Sequence, residues 1–185
     1  AEWKGQRIGA IGDMGSFSFQ SSKNLACGEG GIIVTNNEEL AVKCVSYHDC
    51  GRIPGGAKYR HYVLGQNYRM GEFQAAILLA QFERLDEQTD LRNKNGKYLS
   101  EKLSQIDGIV PLDQDPRVTR HAYYSYTFKY LKEHFKGVDR NTFIRAVNAE
   151  GIPIGAGYSP LYKEILFRTR ANECPLNCVF NKSSQ

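Results

Sequence analysis

Residues 15–35 constrain this chain most, because they place one lysine in a turn between two predicted strands. Residues 16–19 alternate hydroxyl and apolar side chains and predict a strand, and the apolar residues 32–34 predict another. Lys23 lies between them and is followed by a glycine-rich hairpin at residues 28–31. We expect buried strands to hold this lysine in place, because catalytic groups are commonly mounted at the ends of elements on a rigid scaffold.

The composition excludes several other classes of protein. Apolar residues are 41% and charged residues 24%, the balance of an ordinary globular protein. The net charge of +4 is spread along the chain, so neither nucleic acid nor a membrane surface is indicated as a partner. The five cysteines are odd in number and irregularly spaced, which indicates reduced thiols and predicts a cytoplasmic protein. Their spacing, together with that of His48, matches no familiar zinc pattern, so no metal is expected.

Alternating strand and helix signals predict an α/β layer architecture in the first half of the chain. Asparagines followed by acids at residues 36–39 predict a helix that ends near residue 50. Residues 51–66 then form a long loop with an aromatic and basic cluster, which favours a functional loop. From residue 75 onward, apolar side chains recur at helical spacing and the pattern continues to residue 106. This predicts one long helix, buried on more than one side.

The sequence pattern changes after that helix from helical spacing to short strand signals. We interpret the long helix as a connector between two domains. Residues 109–112, 121–130 and 152–155 predict strands, and residues 139–150 predict a helix capped by Asp139. The aromatic side chains at residues 123–130 are interpreted as core and interface. We therefore expect residues 1–95 to belong to a large α/β domain and residues 96–185 to form a small α+β domain.

The chemistry of Lys23 can be argued first from the residues alone. Amine transfer through pyridoxal phosphate (PLP) needs a lysine that forms an imine with the cofactor aldehyde and later moves a proton. The cofactor phosphate needs hydroxyl, N–H or cationic groups on a rigid turn. Ser18 and Lys23 could supply both from one strand and its turn. The commoner alternative, an exposed surface lysine beside a tight glycine hairpin, stays open at this point.

Three blocks of the sequence together carry a family resemblance. The blocks are GSFSF at residues 15–19 with Lys23, GEGG at 28–31 and Thr35; GQNYRM at residues 65–70 with Glu72 and Gln74; and His121, Tyr123 and Tyr124 with residues 151–153 and Tyr162. They resemble the DegT/DnrJ/StrS aminotransferases, which are PLP enzymes of the aspartate-aminotransferase fold. Many members of that family aminate keto sugars attached to nucleotides. The first two blocks carry most of the resemblance, and the third is less specific.

The resemblance implies roles for individual residues. Lys23 would be the Schiff-base lysine that also moves the proton, and Ser18 would bind the cofactor phosphate. Asn67 would reach the cofactor phosphate of the neighbouring subunit, which implies a homodimer with shared active sites. Arg69 and Tyr59 are candidates for substrate contacts. The implied reaction moves an amino group from glutamate or glutamine to a keto group of a nucleotide-linked sugar or a related cyclic ketone.

The same resemblance leaves alternatives. Related sugar dehydratases carry histidine at the position of Lys23, so the lysine favours transamination, and dehydration is the alternative within the same fold. Members of the family are considerably longer, and the part before residue 1 would supply an aspartate for the pyridinium nitrogen and a ring stacked on the cofactor. We expect a fragment that lacks the N-terminal part and the extreme C-terminus. A catalytically inactive remnant that keeps the dimerisation surface is the other alternative.

Overall fold

The computed structural model describes residues 1–165, in which short strands and four α-helices alternate. Contacts divide the chain into two compact units, one ending at Lys129 and one beginning at Tyr130. The strands are β1 Glu2–Trp3, β2 Gln6–Arg7, β3 Gly15–Ser18, β4 Gly31–Val34, β5 Ile109–Pro111, β6 Val118–Arg120 and β7 Phe128–Tyr130. The α-helices are α1 Glu38–His48, α2 Glu72–Phe82, α3 Leu85–Leu103 and α4 Arg140–Ala149. None of the helices within residues 1–165 is both long enough and apolar enough to cross a membrane.

The predicted strands on either side of the lysine are confirmed as an antiparallel pair, β3 with β4, in which Phe17 is paired with Ile32. The strands are not buried, so that expectation was wrong for this chain. Phe17 is 41% exposed, Ile32 45% and Ile33 51%. Both faces of the pair carry apolar side chains, a pattern typical of strands covered on both sides, and the described residues of this chain leave them open.

A small core lies beneath the turn that follows β3. Phe19 and Leu78 are only 4% and 5% exposed, and Cys27 packs with them. The backbone N–H of Cys27 donates to the carbonyl oxygen of Phe19 at 2.9 Å, which closes the loop that contains Lys23. The lysine turn is therefore anchored at both ends by buried residues.

Helix α1 begins as its sequence predicts. The Asn37 side chain accepts a hydrogen bond from the backbone N–H of Leu40 at 3.1 Å, while its own backbone stays extended. This satisfies one of the unpaired N–H groups of the first turn. The predicted asparagine cap is confirmed.

The single long helix predicted from residue 75 to residue 106 is wrong, because α2 ends at Phe82 and α3 begins at Leu85. Two different anchors set the break. The Gln81 side chain donates to the carbonyl oxygen of Ala26 at 2.8 Å, whereas the first turns of α3 are held by Arg120. Burial of α2 on more than one side is also wrong: Leu78 is buried, but Leu79 is 70% exposed.

Strand pairing elsewhere in the first unit is short. Strand β1 pairs antiparallel with both β2 and β6, and β5 pairs with β7. The strand predicted at residues 109–112 is thus confirmed, but the one predicted over residues 121–130 is only partly correct. Its first part is not a strand, because Tyr123 adopts a left-handed backbone with φ of 45°. Only Phe128–Tyr130 is extended and paired.

The second unit contains α4, whose predicted cap is confirmed. The Asp139 side chain accepts from the backbone N–H groups of Asn141 and Thr142, at 2.9 and 3.1 Å. Residues 152–155 were predicted as a strand and are not one. The Asn148 side chain pairs with both the N–H and the C=O of Ile154, at 3.2 and 3.0 Å, and so takes bonds that a neighbouring strand would make.

Candidate active site

The turn that carries Lys23 is fixed by its own hydrogen bonds. The Lys23 N–H donates to the carbonyl oxygen of Gln20 at 2.9 Å. The Gln20 side-chain oxygen accepts from the Ser22 N–H at 2.8 Å and from the Ser22 hydroxyl at 2.6 Å. Because these bonds involve the residue before the lysine and the lysine itself, they set the direction in which the lysine side chain leaves the turn.

The Lys23 amine lies over an aromatic ring. Its Nζ is 4.2 Å from the centroid of the Tyr124 ring, which is a cation–π geometry. The Tyr124 hydroxyl is 3.1 Å from the Ser22 hydroxyl. Since Ser22 gives its proton to Gln20, Tyr124 donates to Ser22. The ring is thus held in place by the same turn that carries the lysine.

A further bond joins the two segments. The Asn24 side chain donates to the carbonyl oxygen of Ala122 at 2.8 Å in a partly buried position. Residues 122–124 are therefore tied to the lysine turn by a backbone carbonyl, a hydroxyl and a ring. Sequence reasoning missed Tyr124, which it interpreted as core. The signal that the sequence offered was the third block of the family resemblance, which includes Tyr124.

Lys23 and Ser18 line one cleft of about 320 Å³, together with Tyr124. The Ser18 hydroxyl accepts from the Gln20 N–H at 3.3 Å, which leaves its proton available for a ligand. Apolar side chains, Phe17 and Leu25 among them, form part of the wall. The structure therefore brings together two of the residues predicted for the site.

At the edge of the cleft, Arg120 joins β6 to α3 through two carboxylates. Its guanidinium nitrogens lie 2.8 Å from Asp86 and 2.7 Å from Asp90, and its side chain is only 18% exposed. The hydrogen bond from Arg120 holds the pKa of Asp86 below its ordinary value. The same bond raises the pKa of Arg120. With its charge matched in this way, Arg120 orients the strand that leads into residues 122–124.

Asn67 and Arg69 lie together but outside the cleft of Lys23. Asn67 forms an isolated antiparallel bridge with Asp49. The Arg69 Nε donates to the Asn67 side chain at 2.9 Å, and its guanidinium is 3.4 Å from Asp49. Neither Asn67 nor Arg69 is among the described residues that line the cleft. The two side chains thus present a second polar surface on the same unit.

Tyr59 occupies a third place, on the loop of residues 51–66. It is 74% exposed, and its backbone φ is 62°. The cationic groups of Arg52 and Lys58 lie 6.0 and 5.4 Å from its ring centroid. The loop presents an aromatic ring flanked by positive charge, apart from the residues that line the cleft.

Within residues 1–165, no three or more histidine, cysteine, aspartate or glutamate side chains are grouped to hold a metal ion. Cys27, Cys44 and Cys50 are free thiols. Cys174 and Cys178 lie outside the described residues.

A model of the DegT/DnrJ/EryC1/StrS aminotransferase family matches residues 1–183. The chain belongs to this family. It is 39% identical over 180 residues to a putative L-glutamine:3-amino-2,3-dideoxy-scyllo-inosose aminotransferase from Streptoalloteichus tenebrarius, a match that covers 95% of this chain and 43% of the relative. It is also 33% identical over 162 residues to the GDP-perosamine synthase of Caulobacter vibrioides, covering 88% of this chain and 43% of the relative.

The fold is that of a DegT/DnrJ/EryC1/StrS aminotransferase. The crystal structure of 3-amino-5-hydroxybenzoic acid synthase superimposes with a TM-score of 0.79 at 33% identity, covering 90% of this chain and 43% of that one. The predicted family and the predicted α/β fold class are confirmed. This chain spans less than half the length of the relatives that it matches.

PLP is the cofactor of DegT/DnrJ/EryC1/StrS aminotransferases, as predicted, and the residues of the cleft fit it. A PLP site needs a lysine amine for the aldehyde and hydroxyl or N–H donors for the phosphate. Lys23 supplies the amine and Ser18 a hydroxyl, and both line the same cleft. The apolar wall offers a surface against which an aromatic ring could pack.

Proposed function

We propose that this chain is part of a PLP-dependent aminotransferase in which Lys23 is the Schiff-base lysine. The amino group would move from glutamine or glutamate to a keto group of a cyclic ketone, nucleotide-linked sugars included. The observation that carries the proposal is the Lys23 amine, held 4.2 Å over the Tyr124 ring in the cleft that Ser18 also lines. The names of the inosose aminotransferase and of GDP-perosamine synthase support the donor and the class of acceptor.

Each residue of the cleft would have a separate role in the reaction. PLP, when bound, supplies the electron sink that stabilises a carbanion. Ser18 would donate its hydroxyl proton to the phosphate, since it already accepts from the Gln20 N–H. Lys23 would accept the proton from the donor α-carbon and later return it to another atom of the reacting system. This transfer requires the Lys23 amine to be held within hydrogen-bond reach of both atoms. The Tyr124 ring, whose centroid is 4.2 Å from the Lys23 Nζ, would hold that amine in one place.

The test is the visible absorbance of enzyme-bound PLP in the full-length protein. We expect a bound-cofactor band in the wild type and its loss in Lys23→Ala. Lys102→Ala is a matched control, because Lys102 also lies over a tyrosine ring, that of Tyr98 at 5.4 Å, outside the cleft. An absorbance spectrum that PLP leaves unchanged, or one altered equally by both substitutions, would refute the proposal. Release of a sugar that has lost a hydroxyl group, without an aminated product, would identify a dehydratase instead.

We further propose a homodimer in which Asn67 serves the active site of the neighbouring subunit. Its place outside the cleft of Lys23 supports this arrangement, since a residue that served its own site would be expected to line it. The apolar residues exposed on α2, such as Phe73 at 86% and Leu79 at 70%, offer a surface for the partner.

Mixing two inactive variants tests the shared site. A hybrid of one Lys23→Ala subunit and one Asn67→Ala subunit contains one site with both residues intact if the site is shared. Random exchange should then restore about a quarter of the wild-type activity, whereas sites formed within one subunit would stay inactive. No recovery after exchange has been verified by mass spectrometry would contradict the sharing and leave the role of Lys23 untouched.

Two whole-protein properties complete the proposal. The free thiols of Cys27, Cys44 and Cys50 support the predicted cytoplasmic location. The predicted division into a domain ending at residue 95 and one beginning at residue 96 falls within α3. It concerns the domains of the full-length enzyme, to which the two compact units of this chain need not correspond. Limited proteolysis of the full-length enzyme, with the fragments mapped by mass spectrometry, would locate that boundary.

A further inference from the structure

Tyr123, the residue before the ring that holds Lys23, has a left-handed backbone. Its φ is 45°, a region that L-residues with bulky side chains seldom occupy because Cβ approaches the neighbouring carbonyl oxygen. Such a conformation persists only where the surroundings over-determine it, and it is enriched at functional sites. The contacts of Tyr123 are therefore informative.

The Tyr123 ring sits directly on the backbone of α3 at Gly96. A Cβ atom at Gly96 would lie 2.6 Å from both Cε atoms of that ring, closer than real Cβ contacts come. Glycine is disfavoured in a helix interior, and at this buried position it provides the space that the ring fills. We call this contact the Gly96 seat.

Polar bonds fix Tyr123 on the seat. Its N–H donates to His121 Nδ1 at 2.9 Å, and its hydroxyl accepts from the Gln114 side chain. The His121 ring packs against it with centroids 4.2 Å apart. One turn further along α3, the Ser100 hydroxyl is 2.8 Å from the Tyr126 hydroxyl, and this second contact also ties the segment after β6 to α3.

The seat decides where Tyr124 points. Two consecutive tyrosines contact two different elements: the first rests on α3 at Gly96, and the second lies over Lys23 in the turn after β3. The left-handed backbone at Tyr123 lies directly before Tyr124, so the direction of the Tyr124 side chain depends on the backbone that the seat holds. A displaced Tyr123 would carry Tyr124 away from the lysine.

We propose that Gly96 and Tyr123 are positioning residues that set the Tyr124 ring over the Lys23 amine and thereby fix the group that moves the proton. This inference rests on the role proposed above for Lys23. A lysine side chain has four rotatable methylene bonds, and the ring restricts where its amine can lie. Loss of the seat should therefore lower kcat, whereas the donor and acceptor bind through other contacts and keep their KM.

The first readout does not depend on activity. In cofactor-free full-length protein labelled with ¹³C-lysine, the ring current of Tyr124 should shift the Lys23 ε-methylene signal upfield, with assignment from Lys23→Arg. Tyr124→Leu and Gly96→Ala should both return the signal to the position of an exposed lysine, while the Lys102 signal stays unchanged. A Lys23 signal unaffected by Gly96→Ala would overturn the inference.

The second readout is kinetic. Gly96→Ala should lower kcat on the order of tenfold, the value of a partly exposed cation–π contact, with KM changed less than about twofold. Gly155→Ala is the matched control, because a Cβ there meets nothing within 4 Å and its backbone is not left-handed. Combining Gly96→Ala with Tyr124→Leu should lower kcat no further than Tyr124→Leu alone, since both changes remove the same contact.

A third variant separates positioning from folding. Gly96→Ala combined with Tyr123→Ala removes the clash together with the ring, so this variant lacks the seat and should keep the low kcat. Recovery of kcat in this variant would overturn the inference. All these variants should retain the absorbance of bound PLP. A failure of the seat is thus distinguishable from a failure of the role of Lys23, which Lys23→Ala tests by itself.

Discussion

The loop of residues 51–66 closes on the end of α1 through two glycines that face each other, and three alanine substitutions dissect it. Gly51 is left-handed, with φ of 80°, and a Cβ there would collide with the backbone of Val63. Gly65 is not left-handed, but its Cβ would lie 2.8 Å from the carbonyl oxygen of Tyr47. Gly55 is left-handed, with φ of 72°, and its Cβ would meet nothing within 4 Å. The three positions therefore combine strain and collision, collision alone and strain alone.

These differences give three magnitudes. Gly55→Ala should destabilise the loop by about 1 kcal/mol, the cost of a left-handed alanine. Gly65→Ala should cost about 1–3 kcal/mol, because the backbone that it meets cannot move aside without losing hydrogen bonds. The Val63 backbone that a Cβ at Gly51 would meet is also held in place, because the preceding Tyr62 N–H donates to the Gly51 carbonyl oxygen at 2.7 Å. Gly51→Ala should cost about 2–4 kcal/mol, the sum of both effects.

Native-state hydrogen exchange measures the local stability of the loop in the full-length protein. The informative amides are those of Cys50, which donates to Gln66, and of Gln66, which donates to Tyr47. Their protection factors should fall about 30-fold or more in Gly51→Ala and about fivefold in Gly55→Ala. Equal losses at Gly51 and Gly55 would refute the reasoning, because they would show that the collision adds nothing.

Three further predictions concern the core beneath the lysine and two titrating groups. Leu78→Ala should lower the free energy of opening of the lysine turn, measured by amide exchange, by about 2 kcal/mol. Leu79 is exposed, so Leu79→Ala should change that free energy by less than about 0.5 kcal/mol. Burial lowers the pKa of His121 below its ordinary value of 6.5, so its contribution to stability is present above pH 6.5 and is lost as the pH falls through the lowered pKa. The protection factor of the Tyr123 amide, whose N–H donates to His121 Nδ1, should therefore fall there in the wild type and stay constant in His121→Asn. The hydrogen bond from the Thr142 hydroxyl lowers the pKa of Asp139 below its ordinary value of 3.8. The cap therefore stabilises α4 above pH 3.8, and this stabilisation is lost as the pH falls through the lowered pKa. Asp139→Asn should remove this pH dependence from the protection factors of the α4 amides.

Features of the fold that depend on local chemistry could be predicted from the sequence. The cap at Asn37 and the cap at Asp139 each act within one turn, so the residues that specify them are adjacent. The β3–β4 pair follows from two short apolar runs and a glycine hairpin. The break between α2 and α3 could not be predicted, because Glu83 and Arg84 are ordinary helix residues and the anchors that bend the chain come from distant segments.

The candidate site shows the same division. Lys23 and Ser18 are close in sequence, and their motif was sufficient to predict that they belong together. Tyr124 could not be predicted to face Lys23, because its direction depends on a left-handed turn at Tyr123 that a glycine in α3 makes possible. An aromatic-rich run predicts a strand by propensity, and here one tertiary contact overrides that propensity.

The bonds between the lysine turn and residues 122–124 also bear on the order of events during folding. Ser22 and Tyr124 are 102 positions apart, and Asn24 and Ala122 are 98 apart. Contacts of such high sequence separation form late, because the loop between them must close first. On a ribosome, the lysine turn can fold on Phe19 and Cys27 long before Tyr124 has been synthesised. The amine therefore acquires its ring only after residues 122–124 have emerged, well after the turn that carries it can form.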